Sequence, residues 1–249
     1  MKTLCIIPAR YASSRLPGKP LAEIAGKPMI QWVYEQAKKA DKIDQVIVAT
    51  DHIEIFKAVE NFKGLAIMTD PGLPSGTDRV YTAIKNLEAD VVINLQGDEP
   101  FIPEKLLNDL VDVFNDPTVE IATAVKRIRE ESELNDPNAV KVIRDKNGYA
   151  IYFSRAVIPF MRDLQNGQNW LNFNIFYKHI GIYAYRKLCL EKLTRLDQSN
   201  LEKCERLEQL RFLENGFKIF TLVTDYDSIS VDTKEDLDKV NVLVNRMRF

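Results

Sequence analysis

The stretch Leu4-Cys5-Ile6-Ile7-Pro8-Ala9-Arg10-Tyr11-Ala12-Ser13-Ser14-Arg15-Leu16-Pro17-Gly18-Lys19-Pro20, followed to Ala37, decides the fold. Residues 4–7 form an apolar run too brief for a helix and closed by a proline, the pattern of a short buried strand. A long loop follows, after which Met29, Ile30, Val33 and Ala37 recur on one helical face. The alternation continues downstream. Residues 46–49, 66–68, 91–95 and 121–125 read as buried strands, and the stripes Ile55, Ala58, Val59, Phe62 and Leu106, Leu110, Val113, Phe114 read as helices between them. Such alternation predicts an α/β fold with a mostly parallel sheet covered on both faces. In such folds ligands bind outside the carboxyl ends of the strands, so the residues just after each strand carry the most information.

From about residue 138 to 186 the rhythm changes. Residues 139–143, 150–153 and 180–185 look like strands with no long helix between them, and 163–174 is polar and poorly periodic, as a loop would be. This region reads as a mixed or antiparallel insertion within one domain spanning 1–249, available for a sugar pocket, a dimer surface, or both. A helix is expected over 201–213, a strand over 219–223, and a closing helix over 234–247 carrying Leu237, Val240, Val244 and Met247 on one side.

Composition narrows the function classes. With 249 residues, 45% of them hydrophobic, the chain can bury a sizeable core. A net charge of -2 with both signs interspersed gives no field for nucleic acid or an anionic membrane. Cys5, Cys189 and Cys204 fit neither a disulfide framework nor a zinc site, and read as core or partly buried thiols in a reducing compartment. The opening residues are interrupted by Pro8 and Arg10, so they do not read as a signal peptide, and no run of about 18 apolar residues follows. The expected location is the cytoplasm.

The loop after the first strand brings Arg10, Arg15 and Lys19 together with small residues: either a phosphate cradle or a solvated basic loop. It is neither a Walker loop nor a dinucleotide fingerprint. The fourth strand runs into Gln96-Gly97-Asp98-Glu99-Pro100, where Asp98 would face the crevice as a magnesium ligand, or else Asp98 or Glu99 caps a helix starting after Pro100. Asp232, ahead of the last helix, would be called an N-cap if taken alone. Ser75 or Thr77 reads as a cap, with Gly76 leaving room for a flat base. Arg155 suits either a substrate carboxylate or a structural ion pair, and His179 and His52, the two histidines, suit structural roles.

Together, IPARYASSRLPGKPL (7–21), VATD (48–51), SGTDR (75–79), NLQGDEP (94–100), NAVKV (138–142), YFSRAVIPF (152–160), KHIGIYAYR (178–186), LEQLR (207–211) and VDTKEDL (231–237) resemble the CMP-KDO synthetases, the 3-deoxy-manno-octulosonate cytidylyltransferases of bacterial lipopolysaccharide synthesis. The similarity covers nearly the whole chain, and it rests on the order and spacing of the segments. It implies a Rossmann-like nucleotidyltransferase core, a homodimer helped by the insertion, and a reaction between CTP and an acidic eight-carbon sugar. It further implies that Pro8, Ala9 and Arg10 approach the nucleotide and that Ser13, Arg15 and Lys19 reach the phosphates. Ser75 and Gln96 would help read cytosine and ribose, Asp98 and Asp232 would share Mg2+, and Arg155, His179, Tyr183, Glu208 and Gln209 would line the sugar site. Arg10, Lys19 and the two aspartates form the implied catalytic set. Two features depart from the family pattern: Ser230 and Lys234 stand where glycine and proline are expected around VDT, and Tyr177-Lys178-His179 with 225–230 look like relatives that use an 8-amino sugar. The alternatives are thus transfer to that sugar or another acidic one, and a non-catalytic nucleotide-binding module.

Overall fold

The computed structural model describes residues 1–12, 15–164 and 168–247. In chain order its elements are β1 (Thr3–Ala9), a 3-10 turn (Lys19–Leu21), β2 (Glu23–Ile24), β3 (Lys27–Pro28), α1 (Met29–Ala37), β4 (Gln45–Thr50), α2 (Ile53–Asn61), β5 (Ala66–Met68), α3 (Gly76–Ile84), β6 (Val91–Asn94), α4 (Glu104–Asp112), β7 (Ile121–Arg127), α5 (Glu131–Asn135), β8 (Lys141–Arg144), β9 (Ala150–Ser154), β10 (Tyr177–Arg186), α6 (Lys187–Leu193), α7 (Asn200–Glu205), α8 (Gln209–Glu214), β11 (Ile219–Thr224) and α9 (Lys234–Met247). They group into two compact units: residues 1–112, 184–194 and 228 onward in the first, 113–183 and 195–227 in the second.

In the first unit β1 lies between β4 and β6, with β5 beyond β4, and these three pairings are parallel. Ala9 pairs with Thr50, Thr50 with Met68, and Ile6 with Asn94, so the four carboxyl ends share one edge. Cys5, Ile6, Ile7, Val48, Ala49 and 91–93 are buried without alternation, because helices cover both faces of a parallel sheet. Removing a side chain such as Ile93 to alanine would cost about 2–5 kcal/mol. The stripe of α1 is buried as its periodicity predicts, and Leu237, Val240 and Val244 of α9 pack with Ile24, Met29 and Val231.

In the second unit β7 pairs in parallel with β11 and neighbours β10, while β8 is antiparallel to both β9 and β10. The change of rhythm near residue 138 is this switch of pairing. Within 163–174 the described residues hold a 3-10 turn, Trp170–Asn172.

Two expectations need correction, and one hairpin was missed. The single helix over 201–213 is two helices, α7 and α8, broken where Arg206 adopts φ 56, ψ 45. The apolar pattern ran through the break because Leu207, Leu210 and Phe212 are all buried. The β2–β3 hairpin went unread because each strand has two residues; its turn is made by Ala25 and Gly26, both at positive φ. Finally, Cys5 and Cys189 are buried but Cys204 is exposed, and all three are free.

Candidate active site

At the shared strand edge of the first unit, Pro8, Ala9, Arg10, Ala12, Arg15, Lys19, Pro20, Gly76, Gln96, Gly97, Asp98 and Asp232 line a cleft of about 430 Å³. That volume falls in the ~300–1,000 Å³ range of small-molecule sites. The fold builds this cleft from three loops. The first leaves β1 and returns through the 3-10 turn that carries Lys19; the second leaves β6; the third precedes α9. A Cβ on Gly97 would stand 3.2 Å from the Pro8 carbonyl oxygen, so the glycine lets the second loop run close against the first. The second and third loops are tied by Val231 N–H donating to the Asp98 carbonyl at 3.0 Å.

The charged groups meet at Lys19. Its Nζ donates to Asp98 Oδ2 at 2.6 Å and to Asp232 Oδ1 at 2.8 Å, and Arg15 NH2 adds a contact to the same Asp232 oxygen at 3.0 Å. Burial works against the charge on Lys19, but the pull of Asp98 and the hydrogen bonds to both carboxylates outweigh it, and the pKa rises above the ordinary lysine value. Arg10 NH2 donates to the Leu73 carbonyl at 2.9 Å. Ser13 lies outside the described residues.

The capping alternatives are resolved by the hydrogen bonds. Helix α4 begins at Glu104, too far on for Asp98 or Glu99 to cap it, and Glu99 instead accepts from the Ser228 hydroxyl. Thr233, not Asp232, caps α9: its Oγ1 accepts from Asp236 N–H, and the Asp236 carboxylate accepts from Thr233 N–H and Oγ1–H. Asp232 therefore points its carboxylate to Lys19 and Arg15. Ser75 does cap α3, accepting from Asp78 N–H at 3.1 Å, and it is the neighbouring Gly76 that lines the cleft. His52 caps α2 through Nδ1, and its ring stacks on Tyr11 at 3.9 Å between centroids.

The donor set fits magnesium by its chemistry. Among the described residues no three His, Cys, Asp or Glu side chains gather into a cage. Two carboxylates brought this close are a donor set that Mg2+ uses when phosphate oxygens and water complete its octahedron, and both already converge on one cationic group, the Lys19 ammonium.

The expected sugar residues belong to the second unit. The rings of His179 and Tyr183 lie 5.2 Å apart, and Glu208 acts electrostatically on Tyr183, whose phenol burial pushes well above the usual range. His179 is partly exposed, and burial pushes its pKa down to about 3. The Thr123 hydroxyl donates to the Ile182 carbonyl at 2.7 Å and lies 2.8 Å from His179 Nε2. Gln209 is buried, and its Nε2 has no acceptor among the described residues. Arg155 stands in a brace: Nε donates to the Glu205 carbonyl and NH1 to the Pro137 carbonyl, while Glu205 accepts from Ser154 Oγ and Arg155 N–H. Its partners are thus backbone carbonyls where an ion pair was one expectation.

The cytidylyltransferase family model matches residues 4–219. The chain belongs to this family. It is 49% identical, over 98% of its length and 99% of the relative's, to a protein of Thermodesulfovibrio yellowstonii named 3-deoxy-manno-octulosonate cytidylyltransferase. A protein of that name from Parabacteroides distasonis is 50% identical over 99% of this chain and 100% of its own. Among solved structures, a CMP:2-keto-3-deoxy-manno-octonic acid synthetase complexed with CTP superposes with a TM-score of 0.92 at 41% identity, covering 99% of this chain and all of that one. The 4-diphosphocytidyl-2C-methyl-D-erythritol synthase of Anaerococcus prevotii, at TM-score 0.62 and 16% identity, shares the fold. The fold is the mostly parallel, Rossmann-like nucleotidyltransferase sheet with some antiparallel strands.

Proposed function

We propose that the chain transfers the CMP moiety of CTP to 3-deoxy-D-manno-octulosonate, releasing pyrophosphate, and that the product serves lipopolysaccharide biosynthesis. The observation that carries the reading is the meeting of Arg15, Lys19, Asp98 and Asp232 in one cleft at the carboxyl ends of parallel strands. It occurs in a chain about half identical to cytidylyltransferases named for that sugar.

The anomeric hydroxyl of the sugar attacks the α-phosphorus of CTP in line. Its O–P bond forms as the bond to pyrophosphate breaks, and the hydroxyl proton is released. No protein nucleophile takes part. An anionic sugar must approach a triphosphate, so positioning and charge neutralisation carry the rate. Pro8, Ala9 and Arg10 hold the nucleotide, Ser13, Arg15 and Lys19 receive the phosphates, and Ser75 and Gln96 read cytosine and ribose. Asp98 and Asp232 would hold Mg2+, which when bound neutralises phosphate charge and makes the sugar hydroxyl more acidic. Glu208, Gln209 and Tyr183 bind sugar hydroxyls. A neutral His179 offers a hydrogen bond and no charge, which leaves Arg155 as the partner of the sugar carboxylate.

The same reading includes a homodimer and a cytoplasmic location. Exposed Phe160, Phe173 and Ile175 give the dimer a surface, and three free thiols suit a reducing compartment. The test is pyrophosphate release from CTP with a panel of acidic sugars. We expect 3-deoxy-manno-octulosonate to give the highest kcat/KM, above its 8-amino analogue and sialic acid; no release with it, or faster release with either rival, overturns the assignment.

A further inference from the structure

Two of the sequence segments end in charged residues that the reaction does not use: VATD in Asp51 and SGTDR in Arg79. Asp51 follows β4 directly, and Arg79 lies in the first turns of α3. Arg79 is completely buried, so it cannot touch a ligand in the cleft. Its NH2 donates to Asp51 Oδ2 at 3.0 Å and its NH1 to Thr69 Oγ1, while its Nε has no acceptor among the described residues. Thr69 in turn donates to the Thr50 carbonyl at 3.0 Å. The other oxygen of Asp51 accepts from the backbone N–H of Tyr11 at 3.3 Å. Tyr11 then returns the chain on itself, its carbonyl accepting from Gly18 N–H at 3.1 Å, next to Lys19.

A buried arginine with one carboxylate is an expensive element for a fold to retain on stability grounds alone, since an apolar pair of similar volume often serves as well. What this pair does that an apolar pair would not is fix a polar backbone group of the first loop. Its two arms run from α3, whose first residue lines the cleft, to the loop that carries Arg15 and Lys19.

We infer that Asp51 and Arg79 are positioning residues for CTP: through Tyr11 they hold the described parts of the first loop, residues 10–12 and 15–19, in the arrangement that receives the triphosphate. The inference rests on the reading that this loop binds the phosphates of CTP. The buried pair acts in the ground state before any chemistry, so its loss weakens CTP binding and leaves sugar binding largely as it was. A purely structural pair would lower the melting temperature and the yield of active protein while leaving the KM values of the folded fraction unchanged.

The experiment is steady-state kinetics on full-length Asp51→Asn, Asp51→Ala, Arg79→Met and the double variant Asp51→Ala/Arg79→Met, with Arg15→Ala as a benchmark for the loop itself. Each is first checked for cooperative unfolding, and Asp51→Asn, which conserves volume, carries the test if Arg79→Met does not fold. We expect the KM for CTP to rise about tenfold or more in Asp51→Ala and Arg79→Met, consistent with losing a charge-assisted hydrogen bond. The KM for the sugar should stay within about threefold, and the double variant should be no worse than the poorer single one, because the two act as one unit. Unchanged KM for CTP in folded Asp51 variants overturns the inference. If Arg15→Ala raises that KM while they do not, only the positioning role fails; if Arg15→Ala also leaves it unchanged, the reading of the loop falls with it.

Discussion

Lys19 is the side chain on which the charge balance of the cleft turns. Its raised pKa means the ammonium is favoured in the folded chain, so its ion pairs are fully present below the ordinary lysine value of 10.5 and are lost only as pH rises through the higher folded value. Turnover should therefore show no alkaline loss owed to Lys19 between about pH 7 and 10, and Lys19→Met should lower kcat/KM for CTP by about 100-fold or more while the protein stays folded. A pH–rate profile with a lysine-like limb near pH 8 would contradict this. His179 has the opposite sign. Its folded pKa, about 3, lies below the unfolded 6.5, so the unfolded chain binds more protons between those values. Stability is then complete above about pH 6.5 and falls as pH drops toward 3. His179→Gln should flatten that acid dependence in denaturant titrations from pH 4 to 7; an unchanged slope would show that the imidazole is not held neutral. The place of Asp98 at the cleft was legible because it comes shortly after a strand pattern, and that of Asp232 only through the family resemblance. That both close on Lys19 was not legible, since those contacts join residues 79 and 213 positions apart. Arg79 was read only as the end of a motif, because burial of a charge leaves no trace in local pattern.

Among the elements, the strands of the first unit were the most legible part of the fold. The apolar runs of β1, β4 and β6 are continuous because both faces are buried, and runs of that kind survive without tertiary information. The break between α7 and α8 was hidden for the converse reason: burial of Leu207, Leu210 and Phe212 continued a helical period across a residue whose backbone is left-handed. Arg206 is exposed, and L-residues other than glycine or asparagine are strained there. Arg206→Gly should accordingly raise stability by about 1 kcal/mol, read as a higher urea midpoint with an unchanged m-value. A lower midpoint would mean that the arginine side chain contributes more than its backbone costs.

For the whole molecule, the expected nucleotide residues that are described fall in the first unit and the expected sugar residues in the second. No described helix is long and apolar enough to cross a membrane. The account depends on Asp98 and Asp232 gripping one divalent ion, and this can be read without turnover. Electron paramagnetic resonance of Mn2+ titrated into the CTP-bound protein should show tight binding in the wild type, weakened tenfold or more in both Asp98→Asn and Asp232→Asn. Wild-type-like binding in either variant, with CTP affinity intact, would contradict the shared site.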